Sequence, residues 1–139
     1  MAKVSMSTDL NASADQVWKM IGGFNTLPDW HPAVEKSELN EAGETRTLSI
    51  AGGATIVEKL ESVDDGARTY TYSIVDSPLP VSNYKATITV SGEGDGSTLE
   101  WSSEFDTVSG MGASEQDAMA AVQGIYQAGF DNLKKMFGG

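Results

Sequence analysis

SEQDAMAAVQGIYQAGFDNLKKMF, residues Ser114 to Phe137, is the stretch that decides the fold. At about 100° per residue, Ala118, Met119, Ala121, Val122, Ile125, Tyr126, Phe130, Leu133, Met136 and Phe137 fall within one half of a helical wheel. Gln116, Gln123, Gln127, Asp131 and Lys134 take the other half. Ser114 is placed to cap the N-terminus, acids open the first turn, Lys134 and Lys135 close the last, and Gly138-Gly139 follow. The pattern predicts one long amphipathic helix of roughly 36 Å, so a broad apolar surface must receive it. Gly129 lies near the middle of the apolar arc, where a large side chain would fill space. A helical glycine costs about 1 kcal/mol relative to alanine. Either the backbone packs closely against something there, or the helix lines a cavity and Gly129 leaves room for a ligand.

Working outward, the N-terminal residues Val4, Met6, Thr8 and Leu10 alternate with Lys3, Ser5, Ser7 and Asp9, the period of a half-buried strand. Ser13-Ala14-Asp15-Gln16 reads as a capping box, and Val17, Trp18, Met20 and Ile21 continue a short helix to Gly22-Gly23. The glycosylation sequon Asn11-Ala12-Ser13 is idle without a secretory signal. One more helical turn starts near Asn25, and Pro32 ends it. From Ala33 to Thr107 the period is two. Turn signals at Asn40 to Gly43, Ala51 to Gly53, Asp64 to Gly66, Ser77 to Pro80 and Gly92 to Gly96 divide this region into six strands. The glycines at 92 to 96 precede a β-run and no helix, so they read as a hairpin tip, not a nucleotide loop. The order of elements is strand, two short helices, six antiparallel strands and one long helix, an α+β domain spanning residues 1–139.

On the strands one face is apolar. Tyr84, Ala86, Ile88 and Val90 share it on one strand, Leu99, Trp101, Ser103 and Phe105 on the next, and Tyr70, Tyr72 and Ile74 on an earlier one. Arg46, Leu48 and Ile50 also share a face. Glu58 stands between Ile56 and Leu60 on one face, an acid pointing into apolar space if that face is the inner one.

Composition removes several function classes. Nine basic against twenty acidic residues give a net charge of −11, which repels phosphate backbones and anionic lipids, so neither nucleic acid nor membrane insertion is expected. The absence of cysteine excludes disulfides, thiolate metal sites and cysteine nucleophiles. His31 is the only histidine and no acidic cluster with ligand spacing accompanies it, so no metal and no cofactor are expected. The N-terminus carries no apolar run or cleavage signature, which predicts a cytoplasmic protein. A homodimer is left open.

The order of elements, the Val17-Trp18 pair, the Trp30-His31-Pro32 turn, the Glu58-Lys59-Leu60 strand and the C-terminal helix together resemble the Bet v 1-like (START, or SRPBCC) superfamily, in particular its polyketide cyclase/dehydrase-like branch. The resemblance covers the whole chain. It implies a helix-grip fold, a curved seven-stranded antiparallel sheet wrapped around the long helix with two short helices after the first strand, and a ligand cavity between sheet and helix. The segment Ser73-Ile74-Val75 through Asn83-Tyr84 is also similar, more distantly, to the latch region of plant abscisic acid receptors. That likeness sets Tyr84, Glu58 and His31 on ligand-facing positions. Where those receptors have their gate motif this chain has Ile50-Ala51-Gly52-Gly53-Ala54, and where they have the latch it has Ser77-Pro78-Leu79-Pro80, so a shared pocket layout is implied and not a hormone receptor.

The expected site comprises Trp30, His31, Leu48, Glu58, Tyr72, Tyr84, Trp101, Val122, Tyr126 and Gly129, with the loops Ala51 to Ala54 and Ser77 to Pro80 at its mouth. His31 either faces the pocket or caps the short helix. Glu58 either meets a ligand or forms a buried ion pair with Arg46 or Arg68. The aromatic residues are core and cavity wall at once, because a phenol or indole edge can hydrogen-bond while the ring packs. Two functions use the same residues: binding of a small hydrophobic molecule (lipid, polyketide or aromatic-like), or a cyclase/dehydratase reaction with His31 and Glu58 as base and acid. A third is an accessory role beside a larger enzyme.

Overall fold

The alternating stretches become seven strands and the periodic stretches three helices in the computed structural model, which describes residues 2–23, 25–50, 53–77, 81–92, 94–107 and 115–138. In chain order these are β1 (Ala2–Leu10), α1 (Ala14–Ile21), α2 (Leu27–Trp30), β2 (Val34–Leu39), β3 (Thr45–Ile50), β4 (Thr55–Asp64), β5 (Thr69–Asp76), β6 (Val81–Ser91), β7 (Ser97–Thr107) and α3 (Glu115–Phe137). The strands form one curved antiparallel sheet in the order β1-β7-β6-β5-β4-β3-β2. Consecutive hairpins produce the run from β2 to β7, and β1 adds to the far side of β7, pairing from Ala2 with Phe105 to Leu10 with Ser97. This is the helix-grip fold expected from the resemblance.

Local chemistry accounts for the ends of the elements. Ser13 accepts from the Gln16 N–H at 3.2 Å and Gln16 Oε1 accepts from the Ser13 N–H at 3.1 Å, the capping box read in the sequence. The second helix is a single turn that starts at Leu27, two residues later than expected, with Pro28 in its first turn. At the other end of the chain Gly138 takes φ +84° and its N–H bonds the Lys134 carbonyl, while its own carbonyl accepts from Asn11 N–H at 3.1 Å, tying α3 to the end of β1. The predicted cap Ser114 and Gly139 lie outside the described residues. So do Ala51, Gly52 and Pro78, Leu79 and Pro80 of the two expected mouth loops. Among the described residues no helix is long and apolar enough to cross a membrane.

The face of α3 toward the sheet buries Ala118, Val122, Tyr126, Gly129, Phe130 and Leu133. Met136, expected on the same face, is 42% exposed, whereas Phe137 after it packs against the core. The central contact is Trp101 of β7, whose ring stacks on Tyr126 with centroids 4.1 Å apart and planes at 19°, and lies 6.4 Å from Phe130 and 5.6 Å from Trp30. Gly129 faces this cluster. A Cβ built there would stand 3.0 Å from Trp30 Cζ3, 3.1 Å from His31 Cδ2 and 3.4 Å from Trp101 Cζ3. The cavity-making role considered for Gly129 is therefore corrected, since three aromatic rings already occupy the space its missing side chain leaves.

These rings have little freedom to retreat, because Trp30 is 1% exposed and Trp101 2%. Gly129→Ala should lose stability although alanine is favoured in helices by about 1 kcal/mol, because overpacking a core costs about 1–3 kcal/mol. Urea unfolding should show a net loss of about 1 kcal/mol at unchanged m-value. A gain of that size would mean that the rings can give way.

Candidate functional site

Between the concave face of the sheet, α2 and the middle of α3 lies a cavity of about 290 Å3. Its wall is mostly apolar: Leu27 from α2, Ala33 and Val34 from the start of β2, Leu48 and Ile50 from β3, Ala54 and Ile56 at β4, Ile74 from β5 and Ile125 from α3. The polar atoms come from His31, Glu58, Tyr72, Tyr84 and Trp101. Six of the ten expected site residues thus line it: His31, Leu48, Glu58, Tyr72, Tyr84 and Trp101. Trp30, Val122, Tyr126 and Gly129 are buried but stand behind the wall or beside it. Ile50, Ile56 and Ile74 were legible from period two, because they share faces with Leu48, Glu58 and Tyr72. Leu27, Ala33 and Val34 carried no such signal, because they lie in a one-turn helix, the turn after it and the first residue of β2, stretches too short to show a period.

Glu58 and Arg46 are direct cross-strand partners on β4 and β3. Arg46 donates from Nε at 2.8 Å and Nη2 at 2.6 Å, both to Glu58 Oε1, with side chains 1% and 8% exposed. The guanidinium also lies 5.2 Å from the centre of the Tyr72 ring. Burial pushes the Glu58 carboxyl above its ordinary range and Arg46 pulls it back. Burial likewise works against the charge on Arg46, but is outweighed by Glu58, Tyr70 and Tyr72, which hold the guanidinium above its usual range and so charged. Of the two ion pairs considered for Glu58, the one with Arg46 forms. Arg68 instead bonds Asp15 at 2.8 Å.

His31 is held by main chain at both ring nitrogens. Nδ1 accepts the Ala33 N–H at 3.2 Å, which puts the proton on Nε2, 2.7 Å from the Ile125 carbonyl it donates to. Asn132 Nδ2 adds a bond to the Trp30 carbonyl at 2.8 Å. Polar bonds from α3 thus pin α2 and the following turn, with the His31 ring in the cavity wall and its Cδ2 against Gly129. Burial lowers the imidazole below its ordinary value of 6.5, with the bond to Ile125 opposing.

The remaining polar atoms are hydroxyls. Trp101 Nε1 donates to Tyr72 OH at 3.0 Å, and the Tyr84 and Tyr126 hydroxyls bond each other. Burial raises the phenols of Tyr72, Tyr84 and Tyr126 far above physiological pH, so all three are neutral hydrogen-bonding groups. Among the described residues no cluster of His, Cys, Asp or Glu has the geometry to hold a metal ion. The arrangement offers an apolar chamber with a carboxylate and phenols at its floor.

Two expectations test this electrostatic reading. Glu58→Gln strands a buried guanidinium and should cost about 3–5 kcal/mol, whereas Arg46→Met with Glu58→Leu should recover most of that loss in urea unfolding. A double variant no more stable than Glu58→Gln would contradict the buried-pair account. For His31, the lowered folded-state value means that the unfolded chain takes up the proton first as pH falls. Its contribution is complete above about pH 6.5 and declines below it. Between about pH 7 and 5.5 the melting temperature of wild type should fall more steeply than that of His31→Gln; equal slopes would show that the ring is not buried neutral.

The family model described as polyketide cyclase/dehydrase and lipid transport matches residues 1–138 of the chain. An MLP-like protein 423 of Arabidopsis thaliana is 28% identical over 114 residues, which covers 73% of this chain and 74% of that one. Among solved structures, the protein XoxI from Bacillus cereus superimposes with a TM-score of 0.93 at 42% identity, covering 99% of this chain and 96% of its own. The Zhui aromatase/cyclase from Streptomyces sp. R1128 superimposes with a TM-score of 0.75 at 17% identity, covering 94% and 87%. A START superfamily protein from Mycobacterium smegmatis does so with 0.79 at 10% identity, covering 97% and 96%. At those last two identities the likeness is one of fold.

Proposed function

Since the chain belongs to the polyketide cyclase/dehydrase and lipid transport family, we propose that it binds a small, predominantly apolar molecule in the chamber between sheet and α3. The molecule's one or two polar atoms face Glu58, Tyr72 and Tyr84. The observation that carries this reading is the cavity itself, about 290 Å3 and walled by aliphatic side chains around a short polar floor. Small-molecule sites run from about 300 to 1,000 Å3, and a volume at the lower edge suits one or two fused rings or a short branched chain. A diacyl lipid is too large to be enclosed.

Binding is favoured over acid–base catalysis by what the two candidate catalytic groups already do. Both nitrogens of His31 are bonded to main chain, and a general base needs a free nitrogen within reach of its proton. The Glu58 carboxyl is raised by burial but bonded to Arg46, which draws it back and already occupies Oε1, so the group is engaged in a structural pair. Neither bond joins His31 to Glu58, so the pair expected from the sequence is not a coupled unit.

Native mass spectrometry of freshly purified protein addresses the carrier reading directly, since a bound molecule should appear as a discrete added mass. With 2-naphthol as probe, calorimetry should show one-to-one binding. Ile50→Trp, which places an indole in the chamber, should weaken that binding by roughly tenfold or more, about 1.4 kcal/mol, at little cost in melting temperature. Probe recovered chemically altered after incubation with wild type would move the reading to an enzyme. An unchanged affinity in the folded variant would place the binding elsewhere.

A further inference from the structure

The sheet that forms the wall of the chamber is not continuous. β5 pairs with β6 only from Thr69 with Thr89 to Ser73 with Lys85. Beyond that point both strands persist but separate: β5 runs on to Asp76 beside β4, with Ile74 opposite Glu58 and Asp76 opposite Val57, while Val81 and Ser82 of β6 stay on β7. A β-bulge explains the parting. Ser82 pairs with Asp106 and Lys85 with Glu104, so Asn83 and Tyr84 together oppose the single residue Phe105. Asn83 takes φ +53°, a left-handed conformation uncommon for a residue with a side chain, and its Nδ2 bonds Asp106 Oδ2 at 3.0 Å. The bulge bends the start of β6 away from β5 and turns Tyr84 inward, where its ring stacks on Phe105 at 5.8 Å.

A groove of about 600 Å3 fills the resulting gap on the outer side of the sheet. Two of its lining residues, Ile74 and Tyr84, also line the inner chamber, so the two spaces share a wall one residue thick at this point. Ile74 is half-buried, not sealed. Elsewhere the groove is more polar than the chamber: beside Val75 and Val81, residues Ser73, Asp76, Ser77, Ser82, Asn83 and Lys85 supply hydroxyl, amide, carboxylate and ammonium groups, with one cation and one anion in balance.

Resting on the binding function proposed above, we propose that the gap between β5 and β6 is a side portal of the chamber, and that the groove outside it holds the hydrophilic end of an amphipathic ligand whose apolar part sits inside. The balanced charge and abundance of hydroxyl and amide groups fit an uncharged, oxygen-rich arm, such as a hydroxylated or ether chain, better than a carboxylate or phosphate. The portal also relaxes the size limit of the chamber, because only the apolar part of the molecule has to fit within about 290 Å3.

The chain has no cysteine, so Ile74→Cys introduces one thiol at the partition, and its rate of reaction with N-ethylmaleimide reads access directly. Ser82→Trp, which fills the outer groove from an exposed position, should slow that labelling by roughly tenfold, whereas Ala54→Trp, at the β3–β4 end of the chamber, should leave it unchanged. Labelling blocked by Ala54→Trp and indifferent to Ser82→Trp would overturn the portal. For the ligand class, 2-methoxynaphthalene is compared with the tri(ethylene glycol) ether of 2-naphthol. The ether should bind wild type at least as tightly, and Ser82→Trp should weaken only the ether. An arm that abolishes binding while the parent compound still binds would overturn the outer subsite. Failure of 2-methoxynaphthalene itself would instead strike the binding reading, and the labelling rates decide the portal without any ligand.

Discussion

The structure depends on how closely the sheet approaches the long helix at one place. Trp101 stacks on Tyr126 at 4.1 Å, and the ring cluster around it reaches α3 where Gly129 has no side chain. Because the helix backbone is bare there, the His31 ring comes near enough to donate to the Ile125 carbonyl, the same acceptor that the Gly129 N–H serves in a regular α-helix. One glycine therefore admits the Trp30 ring and brings α2 under a polar tie to α3. The chamber lies beside this pillar, with Ile125 and Trp101 in its wall. Tight packing at the pillar and open space next to it are two results of one constraint: indole and imidazole rings are wide, rigid spacers, and beside them the sheet supplies mainly aliphatic side chains, with Tyr84 reaching the helix at Tyr126.

The polar interior has a comparable logic. A buried ion pair is a poor source of stability, because desolvating two charges offsets most of their attraction. The Arg46–Glu58 pair sits where aliphatic partners would pack without that cost, and its carboxylate stands at the edge of the chamber with Nε and Nη2 of Arg46 both on Oε1. A group kept at such a place sets an acceptor at the cavity floor, its carboxyl raised by burial and drawn back by Arg46, among neutral phenols that both donate and accept. Ligands with a hydroxyl or N–H at that end are favoured.

Much of the fold was legible because its signals are periodic and local. The ten elements follow from alternation, the capping box at Ser13 and the turn residues, and Glu58 stood out as the lone acid on an apolar face. What the sequence hid is whatever depends on how distant segments meet. Gly129 was visible as an anomaly, but its meaning needed the knowledge that Trp30 and His31, about a hundred residues earlier, cross the helix at that level. The choice between Arg46 and Arg68 as partner of Glu58 required the register of the β3–β4 hairpin. Val122 and Tyr126 belong to the buried arc, but whether a buried residue faces a void or another side chain is a property of packing, and a helical wheel carries no information on it.

The bulge at Asn83 and Tyr84 shows why such features escape a pattern reading while governing function. Period two assigns Tyr84, Ala86, Ile88 and Val90 correctly to the inner face, and the pattern passes through the bulge without a visible fault because the extra residue, Asn83, lies before the first inward aromatic. Only the register of β6 against β7 sets two residues opposite one. A single inserted residue in an edge-to-edge ladder normally bends one strand and leaves the sheet closed. Here the bend falls where β5 has its own partner in β4 and nothing obliges it to follow β6, so the sheet divides. A closed barrel wall would make the chamber's volume the limit on its contents. A wall that parts beside Tyr84 makes the limit depend on which portion of a molecule must be kept from water, and the aliphatic lining inside against hydroxyl and amide groups outside sorts the two ends of that molecule by polarity alone.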